Sequence, residues 1–114
     1  MDAIFIELPA FERRRPEYLD DEDYRRLQET MMQSPESGQL IKESGGMRKF
    51  RHGDKRRGKG TRGGLRVIYY YWTAGAQFWL FTLYNKDEQS DLTARQRAAF
   101  KEQVKLALKA RQQP

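Results

Sequence analysis

Hydrophobic and polar positions along this chain alternate, then recur at helical spacing, then give way to nearly continuous apolar runs before a last helical pattern. Over residues 3–8, Ile4 and Ile6 face one way and Phe5 and Glu7 the other, the period of a short strand that Pro9 ends. Residues 11–18 read as a connector or short helix stopped by Pro16. A helix then begins after Leu19. Asp20 suits its N-cap, Asp21, Glu22 and Asp23 oppose the helix dipole, and Leu19 and Tyr24 occupy staple positions. Tyr24, Leu27 and Met31 form its apolar stripe, and Ser34-Pro35 closes it. Residues 38–46 are a polar loop around Leu40 and Ile41. Residues 47–52 form a second strand, and residues 53–64 a hairpin loop holding five of the nine glycines. Residues 65–73 and 77–84 are the strongest strands, β-branched and aromatic almost throughout, joined by a turn at Ala74-Gly75. Strands this apolar need cover on at least part of both faces. After a charged turn over residues 85–91, a last helix runs from Thr93 to about Gln112. Thr93 and Gln96 fit a capping box, and Phe100, Val104, Ala107 and Leu108 fit a sheet-packing stripe.

The order is therefore β-α-β-β-β-α. Three consecutive strands joined by short loops imply an antiparallel meander, and helices packed on one face of it give an α+β fold. With 114 residues, the chain accommodates a single domain, residues 1–114, and one modest core. No apolar run approaches the length of about 18 residues that a membrane span needs. The N-terminus lacks a basic region and has only a short apolar stretch, unlike a signal peptide. A cytoplasmic location is expected. There is no cysteine and a single histidine, His52, so disulfides, thiolate metal sites and cysteine nucleophiles are excluded. Neither a metal nor a cofactor is expected.

Charge changes the picture more than composition does. The net charge is +6, but residues 48–66 alone hold nine cations against one acid, Asp54, a net +8. The rest of the chain is left at −2. A positive field concentrated in one segment attracts a polyanion, most commonly a phosphate backbone.

Strand periodicity places the candidate chemistry. Lys49 and Arg51 are two residues apart and share a face, and Arg66 shares its own face with Ile68, Tyr70 and Trp72. If the second and third strands pair, Lys49, Arg51 and Arg66 converge, with Lys86, just past the fourth strand, able to close the cluster. Arg48, Lys55, Arg56, Arg57, Lys59 and Arg62 supply further RNA contacts, and Tyr70 and Trp72 stacking surfaces. RNA cleavage through the 2′-hydroxyl needs a proton acceptor, a proton for the leaving 5′-oxygen, and cations for the charged transition state. Crowded like charge lowers a lysine pKa, which suits a lysine to act as base, while arginine stays charged and suits Arg51 and Arg66 to charge stabilisation. His52 faces away from Arg51. Gly53-x-x-x-x-Gly58-Lys59 imitates a P-loop, but Gly60 follows where Ser or Thr belongs, and a strand follows rather than a helix.

Gly46-Met47-Arg48-Lys49-Phe50-Arg51, the run Gly58-Lys59-Gly60-Thr61-Arg62-Gly63-Gly64, and Leu65-Arg66-Val67-Ile68-Tyr69-Tyr70 resemble HigB-type toxins of the RelE/ParE superfamily. So do the opening strand, the helix start at Tyr18-Leu19-Asp20-Asp21, and the ending from Leu83-Tyr84-Asn85-Lys86 to Ser90-Asp91-Leu92-Thr93. The resemblance spans essentially the whole chain. It implies a RelE-like fold, a curved antiparallel sheet with helices on one side. It implies a ribosome-dependent, metal-independent mRNA endoribonuclease, with a helix-turn-helix antitoxin as cognate partner and the ribosome and mRNA as targets. By position, Lys49 and Arg51 resemble the family's paired basic residues, Arg66 its arginine opening the third strand, and Lys86 a basic residue after the fourth. Related toxins place a tyrosine after the last strand. Here that stretch reads Ser90-Asp91-Leu92-Thr93, leaving Tyr70 or Tyr84 to substitute, and the base lies among Lys49, Lys59 and Lys86. Two alternatives stand beside it: a non-catalytic RNA- or ribosome-binding inhibitor, which shares the charge pattern and the stacking aromatics, and a gyrase-targeting toxin of the same superfamily, a class that typically lacks the basic cluster on the second and third strands.

Overall fold

A computed structural model of the protein describes residues 2–54, 58 and 64–112. Strand β1 (Ile4–Glu7) leads into helices α1 (Pro9–Tyr18) and α2 (Asp21–Gln33). Strands β2 (Gln39–Leu40), β3 (Arg48–His52), β4 (Leu65–Trp72) and β5 (Gln77–Asn85) follow, then helix α3 (Ala94–Gln112). The strands form one sheet in the order β1-β5-β4-β3-β2. The α+β class and the β3-β4-β5 meander are as expected.

Several details differ from the expectation. The sheet is mixed, because β1 pairs with β5 in parallel. Pro9 turns the chain into a helix immediately after β1, so β1 has no hairpin partner and takes the open edge of β5 instead. Two helices follow β1, because residues 11–18, read as a connector or short helix and left out of the element order, belong to α1. Pro16 lies inside α1 and interrupts its hydrogen-bond ladder, a cost that burial of Phe11 and Tyr18 offsets. The loop over residues 38–46 contributes the two-residue strand β2, paired antiparallel with β3.

The largest correction concerns the helices, which cover both faces of the sheet. Phe11 and Tyr18 of α1 and Leu27 and Met31 of α2 pack with Leu65, Val67, Tyr69, Phe78 and Leu80 on one face. Val104 of α3, with Phe100, Ala107 and Leu108, packs with Ile68, Trp79, Phe81 and Tyr84 on the other. β4 and β5 are apolar at successive positions, so one helical layer would leave half of those side chains in water, at about 1.5–3 kcal/mol for each large one. A bulge between Ile68 and Tyr69 lets β5 fit an extra residue, Phe81, which turns toward α3 and meets the Phe100 ring at 5.3 Å.

The helix ends follow their sequence signals. The Asp20 carboxylate accepts from the Asp23 N–H at 2.8 Å. Thr93 and Gln96 exchange hydrogen bonds at 3.0 Å each, completing the capping box. Gly38 is packed so closely that a Cβ there would lie 2.8 Å from the Tyr69 ring. Its N–H donates to the Tyr69 hydroxyl at 3.1 Å, which in turn donates to the Pro35 carbonyl at 2.8 Å. That chain fixes the end of α2 to the middle of the sheet, and so sets where β2 and β3 begin.

Candidate functional site

The β3–β4 register places Arg51 directly opposite Arg66 and Lys49 opposite Ile68. The β4–β5 register places Tyr84 opposite Arg66 on its other side. Arg51, Arg66 and Tyr84 therefore form one cross-strand row, with Lys49 one pair along on the same face, the face that α3 covers. The predicted convergence of Lys49, Arg51 and Arg66 is present.

Each member sits at a different depth. Arg51 is exposed, Lys49 is partly covered, and Arg66 is only 6% exposed. The Arg66 guanidinium reaches the carbonyls of Gly64 and Leu65 at 3.4 Å each. Burial, and then the neighbouring Arg51 charge, pull its pKa below the ordinary arginine value, against an opposing pull from Tyr84. It remains a cation, and its field is less screened than that of a surface charge. Tyr84 is fully buried, and its hydroxyl has no hydrogen-bond partner among the described residues. Burial, and then Asp91, push its pKa up to about 12, with Arg66 acting in the other direction. The phenol is therefore neutral at physiological pH.

Asp91 was not among the predicted site residues. It stands in the turn before α3, where its carboxylate accepts from the Leu92 N–H at 2.8 Å and lies 3.6 Å from the Lys49 ammonium. Asp91 and Lys49 line a cleft of about 320 Å³ together with Gln39, Lys42 and Arg97. A second hollow of about 310 Å³, on the other side of Lys49, is bounded by Gln39, Phe50 and Arg51. Lys49 and Gln39 thus form a rib between two open depressions, both lined by cations. The strand period points Tyr84 at this face, whereas Asp91 comes from a turn with no periodicity to aim it.

Other candidates lie elsewhere. Lys86 is exposed on the turn after β5 and makes no hydrogen bond or ion pair among the described residues. Arg48 points to the opposite face, where it donates to the Gly38 carbonyl at 2.9 Å and lies 3.6 Å from Glu36. Tyr70 and Trp72 are on the α3 face but not beside the cations: they lie four and six residues further along β4 than Arg66, about 13 and 20 Å away. Tyr70 stacks on Trp79 at 5.0 Å. Trp72 packs on Trp79 at 6.1 Å, under the Arg111 guanidinium. Both rings serve the core beneath α3. Lys55, Arg56, Arg57, Lys59 and Arg62 lie outside the described residues. His52 faces away from the cluster as expected, 3.8 Å from Asp23.

A further, apolar cleft of about 200 Å³ opens between β1, β5 and α3, lined by Ile6, Leu8, Trp79 and Phe81. Arg111 at its rim is held over Trp79 at 4.5 Å and donates to Gln77 at 3.2 Å. It offers no reactive group. Among the described residues no cluster of three or more His, Cys, Asp or Glu could hold a metal ion, and no helix is long and apolar enough to cross a membrane. No protein-family model matches the chain.

Proposed function

We propose that this chain is the toxin of a type II toxin–antitoxin pair, a ribosome-dependent mRNA endoribonuclease of the HigB kind acting in the cytoplasm. The observation that carries the reading is the cross-strand row on the α3 face, with Arg51 opposite Arg66 and Lys49 beside them. Three cations on one sheet face suit a phosphate whose charge grows during reaction. The 2′-oxygen attacks the adjacent phosphorus, the bond from phosphorus to the 5′-oxygen breaks, and a cyclic phosphate forms. The Asp91 carboxylate takes the 2′-hydroxyl proton, the Lys49 ammonium 3.6 Å from it gives a proton to the departing 5′-oxygen, and transfer of the proton from Asp91 to Lys49 resets the pair. Arg51, which is exposed, contacts the phosphate. Arg66, nearly buried beneath it, acts through its field. Tyr84, which reaches no solvent and whose hydroxyl has no partner among the described residues, backs Arg66 with its ring and touches no substrate. The proposed partner that silences the toxin is a helix-turn-helix antitoxin.

The test is a defined translation reaction, with mRNA ends mapped by primer extension in the presence and absence of ribosomes. Wild type, Arg51→Ala and Arg66→Ala are compared, with thermal melts to confirm that each variant folds. We expect cuts within the message that require ribosomes and fall at least a hundredfold in both variants, about 2.7 kcal/mol of transition-state stabilisation. Translation arrest without cuts would replace the nuclease by a binding inhibitor. Unaffected translation, with supercoiling blocked instead, would make the protein a gyrase poison.

A further inference from the structure

The sheet sorts the charges of this chain. Residues 7–36, which contain α1 and α2, hold nine carboxylates against five arginines. On the opposite face, α3 holds six cations and one carboxylate, Glu102. That is also the face of Lys49, Arg51 and Arg66.

Four of the α3 cations recur at every fourth position: Arg97, Lys101, Lys105 and Lys109. Residues four apart are neighbours on a helix surface, so the four make one ridge, each about 6 Å along the axis from the last and about 18 Å in all. Lys101, Lys105 and Lys109 are exposed, and none of the four forms an ion pair among the described residues. Like charges at this spacing repel, so only Lys109, in the last turn, is placed to favour the helix that carries the ridge. The ridge also has a direction. Arg97 lines the cleft that holds Lys49 and Asp91, so its first member borders the candidate site.

We propose that the Arg97–Lys101–Lys105–Lys109 ridge of α3 is a second RNA contact that holds a phosphate backbone adjoining the Lys49–Arg51 site. This deepens the RNA-acting reading and rests on it. The regular step of about 6 Å is close to the separation of successive phosphates along a strand. An acidic helix repeats at the same pitch, but the ridge runs out from the cleft that holds Lys49 and Asp91, where a strand bound at the candidate site continues. A membrane surface would need apolar side chains beside the cations, and Leu106 is the one large exposed apolar residue described on α3. The ridge carries no aromatic side chain, so it reads charge and spacing but not base identity.

The experiment measures binding of the full chain to a labelled unstructured RNA strand and to an RNA hairpin across a range of salt concentrations. Wild type is compared with K101Q/K105Q/K109Q, and circular dichroism and melting confirm the fold. The variant is expected to melt no lower than wild type. On the contacted RNA, the slope of log affinity against log salt should shrink by about 2, from three lost contacts at about 0.7 each. A change on the strand assigns the ridge to the message, and a change confined to the hairpin assigns it to folded ribosomal RNA. Either supports the proposal. An unchanged slope on both RNAs, with wild type binding normally, overturns the ridge and leaves the nuclease reading standing. Polyglutamate competing as well as RNA of equal charge overturns the RNA assignment. Wild type binding neither RNA overturns the ridge and the RNA-acting reading together.

Discussion

Tyr84 is the side chain whose surroundings least resemble those of an ordinary core residue. A buried hydroxyl without a partner costs about 1–3 kcal/mol, and here it lies opposite the nearly buried Arg66. Tyr84→Phe keeps the ring opposite Arg66 and removes the unpaired group, so a variant more stable by about 1 kcal/mol, with cleavage retained, is expected. The pH dependence has a definite sign. The folded pKa, about 12, stands above the ordinary value near 10, so the unfolded chain releases the proton first. The neutral phenol's contribution is intact below pH 10 and is lost as pH rises toward 12. Wild type should therefore fall behind Tyr84→Phe by up to about 1.4 kcal/mol per pH unit above pH 10. Denaturant melts of both proteins at neutral pH and near pH 11 check this, and parallel curves at both would show that Tyr84 is solvated. At this scale the site was legible only where strand period applied. Lys49, Arg51 and Arg66 followed from alternation and one pairing. Asp91 did not, because a turn has no period. Neither did the distance of Tyr70 and Trp72 from the cations, because a shared strand face does not make near neighbours of residues four and six positions along.

Among the elements, the turn from β5 to α3 carries both Lys86 and Asp91, and Glu88 ties it down. The Glu88 carboxylate accepts from the Tyr18 hydroxyl, from Arg14 at 2.8 Å and from the Asn85 N–H at 2.9 Å, linking the turn to α1. Burial pushes the Glu88 pKa up, but the hydrogen bonds from Tyr18 and Asn85 and the Arg14 charge outweigh it, and the carboxyl sits below its usual value. A depressed carboxyl contributes stability above the ordinary carboxylate range and loses it as pH falls through the lower, folded value. Glu88→Gln should cost roughly 1 kcal/mol at neutral pH, less than a fully buried charged pair because the side chain is a third exposed. Wild-type and variant melts should converge in acid, and a gap that persists there would mean that packing, not charge, holds the turn. Turn-to-helix contacts such as this span some 70 residues of sequence, and no local pattern announces them. The fold shows the same division. Helix caps and the β3-β4-β5 meander were readable because their signals lie within a few residues. The parallel edge of β1 and the second helical layer were not, since they depend on which faces remain open once the meander has formed. The two-sided apolar character of β4 and β5 was the one sequence signal that pointed to that second layer.

For the whole molecule, what matters is how charge is arranged, since a net +6 says little about where a polyanion binds. Even the smallest extent of the protein, 24 Å, is about three Debye lengths at physiological salt. Charges on α1 and α2 are therefore screened from anything bound on the α3 face, and two variants separate net charge from its placement. Glu12→Lys with Glu29→Lys raises the net charge to +10, but on the acidic face. It sacrifices only a marginal surface pair, Arg25–Glu29 at 3.9 Å. The lysine-to-glutamine triple variant of α3 lowers the net charge to +3 on the basic face. If net charge governed binding, RNA affinity at physiological salt would order the proteins +10, +6, +3. If placement governs, as the segregation across the sheet implies, the +10 protein should match wild type there while the +3 protein falls well below it. The +10 protein should gain affinity only at low ionic strength, near 0.01 M, where the Debye length of about 30 Å spans the molecule. A gain at physiological salt equal to that at low salt would mean that RNA also reaches the α1–α2 face, and the sheet would then no longer divide a binding side from a solvent side.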